Sequence, residues 1–198
     1  MESESSMSLD DLQIKSLSPD MANQFTSYLS EMDFSHAEHW HFCYCQYYHI
    51  DCSSAEWHQR TAEQNKALAV QNIESGLMRG LVALAGEQMV GWVNVNDVNN
   101  YALLKKDEEL QKFPGRSAMV VCFVIHPEYR GKGLANKMLA EAVEISRQEG
   151  FDRIIGRPFL WSAHPLRQYH GLPKMFEDLG FKEVSETNGV HTYVLELK

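Results

Sequence analysis

Two stretches of this chain gather residue types that do chemistry. The first, residues 36–52, reads HAEHWHFCYCQYYHIDC and holds four of the nine histidines and three of the four cysteines. Imidazole and thiolate are zinc ligands, and Cys43, Cys45, His49 and Cys52 would supply four of them within ten residues. Structural zinc sites favour C-x2–4-C knuckles and draw their second ligand pair from another element. So compact a set also needs a tight loop, and the stretch has no Gly or Pro to make one. No metal is therefore expected. Two other readings stand. In one, Trp40, Phe42, Tyr44, Tyr47 and Tyr48 are core bulk with small thiols between them. In the other, the stretch walls a pocket, and His49, Cys43 and Cys45 face a ligand.

The second stretch, residues 120–144, reads VVCFVIHPEYRGKGLANKMLAEAVE. An apolar run ends at His126-Pro127. Arg130-Gly131-Lys132-Gly133-Leu134-Ala135 then opens a helix with an apolar stripe. Glycines at a strand-to-helix turn let backbone approach a ligand, and the helix's first N–H groups point at it and favour an anion. Arg130 and Lys132 add positive charge. This is the physics of a pyrophosphate cradle. A P-loop would need Ser or Thr after Lys132, where Gly133 stands. The dinucleotide fingerprint G-x-G-x-x-G fails at Asn136.

Local pattern supplies the elements that must position these residues. Leu12–Leu17 alternates as a first strand. Ser18-Pro19 starts a helix that runs to about Glu31. Residues 53–76 are helical in composition, as one helix or two. Leu81–Ala85 and Met89–Val95 form a hairpin across Gly86-Glu87-Gln88. Residues 97–117 make a long excursion with a short helix near Lys105–Lys112. It is expected to cover part of an acceptor pocket, because long loops in compact domains are usually functional or disordered. Ala118–Ile125 is a buried strand, 133–149 a helix, and Arg153–Gly156 a strand beside it. Pro173–Leu179 is a helix. Phe181–Val184 and His191–Leu197 pair through Asn188-Gly189. The order β-α-α-β-β-β-α-β-α-β-β is mixed α/β with one central crossover. Asn94 and Asn96 share one strand face, and with Asp97 and Tyr101 they make a polar patch suited to an acceptor. Cys122 points to the opposite sheet face from Phe123 and Ile125; the default for it is a buried, inert thiol.

The chain has 198 residues and a formal net charge of -9. That suits one domain, residues 9–198, behind a disordered tail of residues 1–8. An acidic chain is a poor general partner for nucleic acid, and leans toward a cationic small molecule. The N-terminus has no basic segment followed by an apolar one, and the longest apolar run, residues 118–125, is too short for a membrane span. A cytoplasmic protein with reduced cysteines is expected.

The motif R-x-x-G-x-A at Arg130–Ala135 resembles the acetyl-CoA-binding motif of the GNAT N-acetyltransferases. Met175-Phe176-Glu177-Asp178-Leu179-Gly180-Phe181 is similar to a late segment of that family, and the element order agrees from about Leu12 to Leu197. The resemblance implies an α/β fold with a mixed, mostly antiparallel sheet splayed at the motif strand and flanked by helices. It implies acetyl-CoA as co-substrate, with the pantetheine arm on the main chain of Phe123, Val124 and Ile125 and the pyrophosphate on the amides of Arg130 to Ala135. It implies an amine acceptor, open among small amine, amino acid, antibiotic and peptide N-terminus, with the acidic balance favouring a small-molecule amine, and a monomer or homodimer. Cys43-Tyr44-Cys45, Gly91-Trp92-Val93-Asn94 and Cys122-Phe123-Val124 are similar to features of one subgroup, and place residues 36–52 on the acceptor side of the cleft.

Two departures are visible. Phe176 stands where the family often has a tyrosine that protonates the leaving thiolate, and Ser117–Ile125 carries no carboxylate to act as base. The candidates for proton handling are then His49 and Tyr169. The expected oxyanion donor is the backbone N–H of Phe123 or a neighbour. The rival readings are a non-catalytic acyl-CoA sensor on the same fold and a metal-regulated protein built on residues 36–52.

Overall fold

The computed structural model describes residues 8–35, 37, 40–158 and 168–198. Residues 1–7 of the expected disordered tail lie outside that set. A seven-stranded sheet forms the centre, in the order β1-β2-β3-β4-β5-β7-β6. Its strands are β1 (Gln13–Ser16), β2 (Gly80–Ala85), β3 (Gln88–Asp97), β4 (Ser117–Ile125), β5 (Arg153–Gly156), β6 (Lys182–Thr187) and β7 (Val190–Glu196). Every neighbouring pair is antiparallel except β4 and β5. A parallel pair needs a crossover, and α4 (Leu134–Gln148) provides it.

Helices cover both faces. Leu134, Met138, Leu139 and Ala142 of α4 bury against Val93, Val95, Val120 and Phe123, joined by Phe176 of α5 (Pro173–Glu177). On the other face, Phe25 and Leu29 of α1 (Ala22–Glu31) and Ala69 and Ile73 of α3 (Ala62–Glu74) pack on Val82, Leu84 and Trp92. Local chemistry sets the helix starts. Ser53 with Glu56 begins α2 (Ser54–His58), and Thr61 with Gln64 begins α3, each as a capping box. The single helix expected from Pro19 is a 3-10 turn, Pro19–Met21, that leads into α1. No helix among the described residues is long and apolar enough to cross a membrane.

The excursion differs from expectation. Its helix near Lys105–Lys112 is replaced by 3-10 turns at Ala102–Lys106 and Leu110–Lys112. Residues 105–109 carry charge at every position and offer no apolar stripe to hold an α-helix on the core. Asp107 instead accepts the N–H groups of Glu109 and Leu110, both at 3.1 Å, and pairs with Arg157. Val98, Tyr101, Leu104 and Leu110 bury in a third core with Met119, Val121, Ile155 and Val194. The excursion thus seals the sheet instead of roofing a pocket.

Two features of β4 create the opening that matters. Asn94 pairs with Cys122 and Val95 with Val120, so Val121 is an extra residue, a bulge that bends the strand. Pairing with β5 covers only Ser117–Val120. Past Val120 the two strands part.

Candidate active site

The gap between β4 and β5 opens on a cleft of about 810 Å³. One end is the turn into α4. Gly131 and Gly133 adopt φ of +70° and +92°, the left-handed region that glycine enters freely. Gly133 is the N-cap and offers no side-chain cap, so the first N–H groups of α4 are left for a ligand. Gly131, Gly133, Leu134, Ala135 and Asn136 all line the cleft. Arg130 is fixed beside them by donating from Nε to the Ile125 carbonyl at 2.8 Å. Lys132 is not among the lining residues; its ammonium lies 5.7 Å from the Tyr129 ring centroid. An anion of pyrophosphate type fits this donor set. Tyr129 and Asn136 also line it, and neither carried a local signal beyond proximity to the motif.

Strand β4 runs from the cradle along the gap. The N–H of His126 donates to the Val90 carbonyl at 2.9 Å, which marks that pair as hydrogen-bonded. By antiparallel alternation, the backbone groups of Phe123 and Ile125 then turn away from β3 and toward the gap. The Phe123 N–H is taken by the Tyr169 carbonyl at 2.7 Å. Ile125 spends its carbonyl on Arg130. Among the described residues, the Phe123 carbonyl and the Ile125 N–H have no other backbone partner across the gap and could meet an extended amide-bearing arm. The backbone N–H of Phe123 or a neighbour was the expected oxyanion donor; that of Phe123 is occupied by the Tyr169 carbonyl.

The other end is the wall made by residues 34–58. It winds by successive three-residue turns: Cys43 N–H donates to Trp40 O at 3.0 Å, Gln46 to Cys43 at 2.9 Å and His49 to Gln46 at 2.9 Å. Tyr44 and Cys45 adopt φ of +45° and +56°, so the tight loop is made without glycine. Side chains hold it in place. The Tyr44 hydroxyl lies 2.9 Å from Ser30 Oγ, Asn72 donates to Gln46 Oε1 at 2.7 Å, and Asn65 donates to the Phe42 carbonyl at 2.8 Å. Phe34, Trp40, Tyr44, Tyr47, Tyr48 and Trp57 face the cleft, with Cys43, Cys45, His41 and His58. The packing reading and the pocket-wall reading of this stretch are both partly realised. Among the described residues, no group of three or more His, Cys, Asp or Glu side chains is arranged to hold a metal. Burial, reinforced by Cys45, pushes the Cys43 thiol up to about 12.

The structure sorts the sequence candidates. Cys43, Cys45, Asn94 and Tyr169 line the cleft; His49, Asp97 and Tyr101 do not. His49 is 7% exposed, its ring centroid 5.2 Å from that of Tyr101, behind the wall. The left-handed residues Tyr44 and Cys45 interrupt the three-residue winding, so Cys43 before them lines the cleft while Gln46 and His49 after them are buried behind it. Burial lowers the His49 pKa to about 4, and the nearby Asn100 backbone raises it only slightly, without a hydrogen bond of ordinary geometry. A buried, neutral ring off the cleft cannot take a substrate proton. Asp97 lies in a separate depression of about 60 Å³ and faces Arg116 at 3.7 Å. Tyr101 is fully buried, its hydroxyl donating to Asn94 Oδ1 at 2.8 Å.

Three residues at or behind the cleft take surroundings that residue type did not disclose. Cys122 is half-buried and lines the cleft, within electrostatic reach of Tyr28, Tyr48, Tyr101, Tyr169 and Cys45. Alternation assigned its sheet face correctly, but not what that face meets. His170, six percent exposed, places Nε2 3.3 Å from the Tyr48 hydroxyl, and burial lowers its pKa to about 3. Phe176 is fully buried against the backbone of Gly156 and Gly171, where a Cβ would overlap its ring. Its position belongs to the core, so the vacancy there is structural as well as chemical. Tyr169 sits between the Trp40 and His170 rings, with centroids 4.8 and 4.2 Å away, and burial raises its hydroxyl pKa.

Comparisons with known proteins agree with this geometry. No curated protein matches the sequence. Among solved structures, a mosquito arylalkylamine N-acetyltransferase-like protein, 5b, superposes with a TM-score of 0.56 at 15% identity, over 93% of this chain and 99% of that one. A Drosophila melanogaster polyamine N-acetyltransferase, which forms N-acetylagmatine, gives 0.54 at 14% identity, over 93% and 99%. The PaiA N-acetyltransferase of Thermoplasma acidophilum, in complex with coenzyme A, gives 0.54 at 17% identity, over 96% and 99%. At these identities the likeness is one of fold. The family model described as Acetyltransferase (GNAT) family matches residues 34–159.

Proposed function

Because the chain belongs to the acetyltransferase (GNAT) family, we propose that it moves the acetyl group of acetyl-CoA to the primary amine of a small molecule with an apolar or aromatic body. One observation carries the reading. The gap between β4 and β5 joins an anion cradle at the start of α4 to an aromatic wall, in a single cleft. Gly131 to Asn136 would take the pyrophosphate, and the Phe123 carbonyl and Ile125 N–H the amide groups of the pantetheine arm. That brings the thioester to the wall, beside Cys122, Asn94 and Tyr169. Holding amine and thioester together supplies much of the rate.

The wall speaks to the acceptor's chemistry. Agmatine and polyamines, the substrates named for the Drosophila relative, carry a second cationic group that calls for a carboxylate. Among the described lining residues there is no Asp or Glu. The net charge of -9 is thus not drawn from carboxylates among the described lining residues. Ring faces attract a single ammonium by roughly 0.5–2 kcal/mol and bury an apolar body well. Desolvation there also favours the neutral, nucleophilic amine. Tyr169, which lines the cleft and whose burial keeps it protonated, would be the group that protonates the departing thiolate.

The test is release of free CoA thiol over a panel of arylalkylamines, aliphatic monoamines, agmatine, spermidine and amino acids. Arylalkylamines should exceed polyamines in kcat/KM by about tenfold or more, the scale of about 1.4 kcal/mol in the barrier. The reverse ranking refutes the acceptor class. Tight acetyl-CoA binding with no thiol release over the panel refutes the transferase reading and leaves a sensor.

A further inference from the structure

Among the described residues, four buried side-chain polar atoms have no hydrogen-bond partner: both ring nitrogens of His49, Trp92 Nε1 and Asn94 Nδ2. Of these three residues, only Asn94 lines the cleft. Its side chain is fully buried, and a buried donor left unpaired costs about 1–3 kcal/mol. Natural proteins keep such a group where something else satisfies it.

The orientation of this amide is set from behind. The Tyr101 hydroxyl sits 2.8 Å from Asn94 Oδ1 and 3.2 Å from the Met119 carbonyl, and the shorter contact takes the proton. With Oδ1 engaged, Nδ2 is the amide atom left without a partner, buried in a residue that lines the cleft. Tyr101 is itself immobile, buried among Val98, Leu104, Leu110 and Met119 with His49 against its ring. Asn94 faces Cys122 across the β3–β4 ladder, one residue from Phe123. The Phe123 N–H, the backbone donor that should meet the oxyanion, is taken by Tyr169. The Ile125 N–H lies two residues nearer the cradle, in reach of the arm instead of the thioester. The cleft therefore has an oxyanion to stabilise, no backbone N–H at Phe123 to do it, and one fixed, unsatisfied donor on the acceptor side.

We propose that Asn94 Nδ2 donates a hydrogen bond to the thioester carbonyl oxygen of acetyl-CoA and to the oxyanion formed from it, with Tyr101 as its positioning residue. The proposal rests on the transferase reading above. The amine lone pair forms the C–N bond while the carbonyl π pair moves onto oxygen, where Asn94 meets it. When the carbonyl re-forms, the C–S bond breaks and sulfur leaves with the pair as CoA thiolate. The proton that sulfur takes up balances the one nitrogen loses. A preorganised donor aimed at developing charge is worth about 10²–10³ in kcat.

The test joins a spectroscopic readout to kinetics on the full chain. Difference infrared spectra of enzyme with acetyl-CoA, unlabelled and labelled with ¹³C at the carbonyl, isolate the thioester stretch without turnover. In the wild type the band should lie below that of free acetyl-CoA, and Asn94→Ala should return it. In Asn94→Ala, kcat should fall about 10²–10³-fold, with acetyl-CoA affinity changed by only a few fold. Asn94→Asp keeps the shape and the acceptor for Tyr101 but lacks the donor, so its loss should be at least as large. Tyr101→Phe should leave the band part-way, with a smaller fall in kcat. An unshifted wild-type band overturns the proposal, as does a band unchanged by Asn94→Ala. Near-normal activity in Asn94→Asp, or a defect confined to KM for the amine, overturns it too. A shifted band that depends on Asn94, in a protein that releases no CoA with any amine, would retain the contact and refute the transferase reading instead.

Discussion

Acid should destabilise this protein through two histidines that the fold keeps neutral. His49 and His170 are 7% and 6% exposed, and burial lowers their pKa values from the ordinary 6.5 to about 4 and about 3. An unfolded chain protonates both near 6.5, while the folded chain protonates neither until well below. The stability tied to their neutral form is therefore full above 6.5 and is lost as pH falls toward the folded values. At about 1.36 kcal/mol per pH unit, each histidine removes about 2 kcal/mol between pH 8 and pH 5, about 4 kcal/mol together. Domains of this size have only about 5–15 kcal/mol to lose. Urea midpoints at half-unit steps from pH 8 to pH 5, at fixed ionic strength, would measure it. His49→Leu removes one of the two groups without touching the cleft. Its advantage over wild type should grow by about 2 kcal/mol on going from pH 8 to pH 5. His191, which is held up by Glu183 and works in the opposite direction, is present in both proteins and cancels. Parallel stability curves for wild type and His49→Leu over this range would refute the argument, because they would mean that the buried ring titrates as an exposed one does.

Other outcomes follow from the same geometry. Tyr169→Phe should lower kcat about 10²-fold or more, the scale of general-acid catalysis, with acetyl-CoA protection against thermal unfolding unchanged; equal kcat would remove Tyr169 as the acid. Phe176→Tyr should not improve kcat, because that side chain is sealed in the core, and it should cost about 1–3 kcal/mol for a buried, unpaired hydroxyl. Gly133→Ala meets no close neighbour but must adopt φ of +92°. It should cost about 1–2 kcal/mol and weaken acetyl-CoA protection in thermal melts. At pH 8, a thiol pushed up to about 12 is about one part in 10⁴ thiolate, so Cys43 should resist iodoacetamide in the native protein and react once it is unfolded in urea. Rapid native labelling at Cys43 would contradict the burial.

What the sequence disclosed was whatever rests on periodicity and local turn chemistry. The β2–β3 hairpin, β4, α4 and β5 follow from apolar runs punctuated by Gly86, Pro127, Gly133 and Gly150, and they fall within a residue or two of expectation. The cradle was legible for the same reason, since a Gly-rich strand-to-helix turn is a local signal. The catalytic end was less so, because it depends on events that leave no local trace. Val121 is an extra residue only relative to the register of β3. The Tyr169 carbonyl reaches Phe123 from 46 positions away in the chain. Tyr44 and Cys45 enter the left-handed region against their own preference, carried by burial and by the hydrogen bonds that pin their neighbours to α3. Tyr48 and His49 are adjacent in sequence, yet one faces the cleft and the other its back. Residue type alone cannot tell them apart. For the patch at Asn94, Asp97 and Tyr101, strand alternation held while the excursion's packing drew Tyr101 behind the sheet and left Asp97 outside.

The bond between Tyr169 and Phe123 joins backbone to backbone, so no side-chain replacement deletes it. Alanine scanning would pass over the frame of the opening without registering it. The width of that frame is a property of the chain's path, and selection can adjust it only where the path itself is set. Gly171, two residues beyond Tyr169, is such a place. Its φ is +85°, and a Cβ there would stand 3.0 Å from the Phe176 ring and 3.3 Å from that of Phe123. Any side chain at that position would strain its own backbone and press on the Phe176 and Phe123 rings. The spacing at the opening thus rests on a residue that has no side chain to offer.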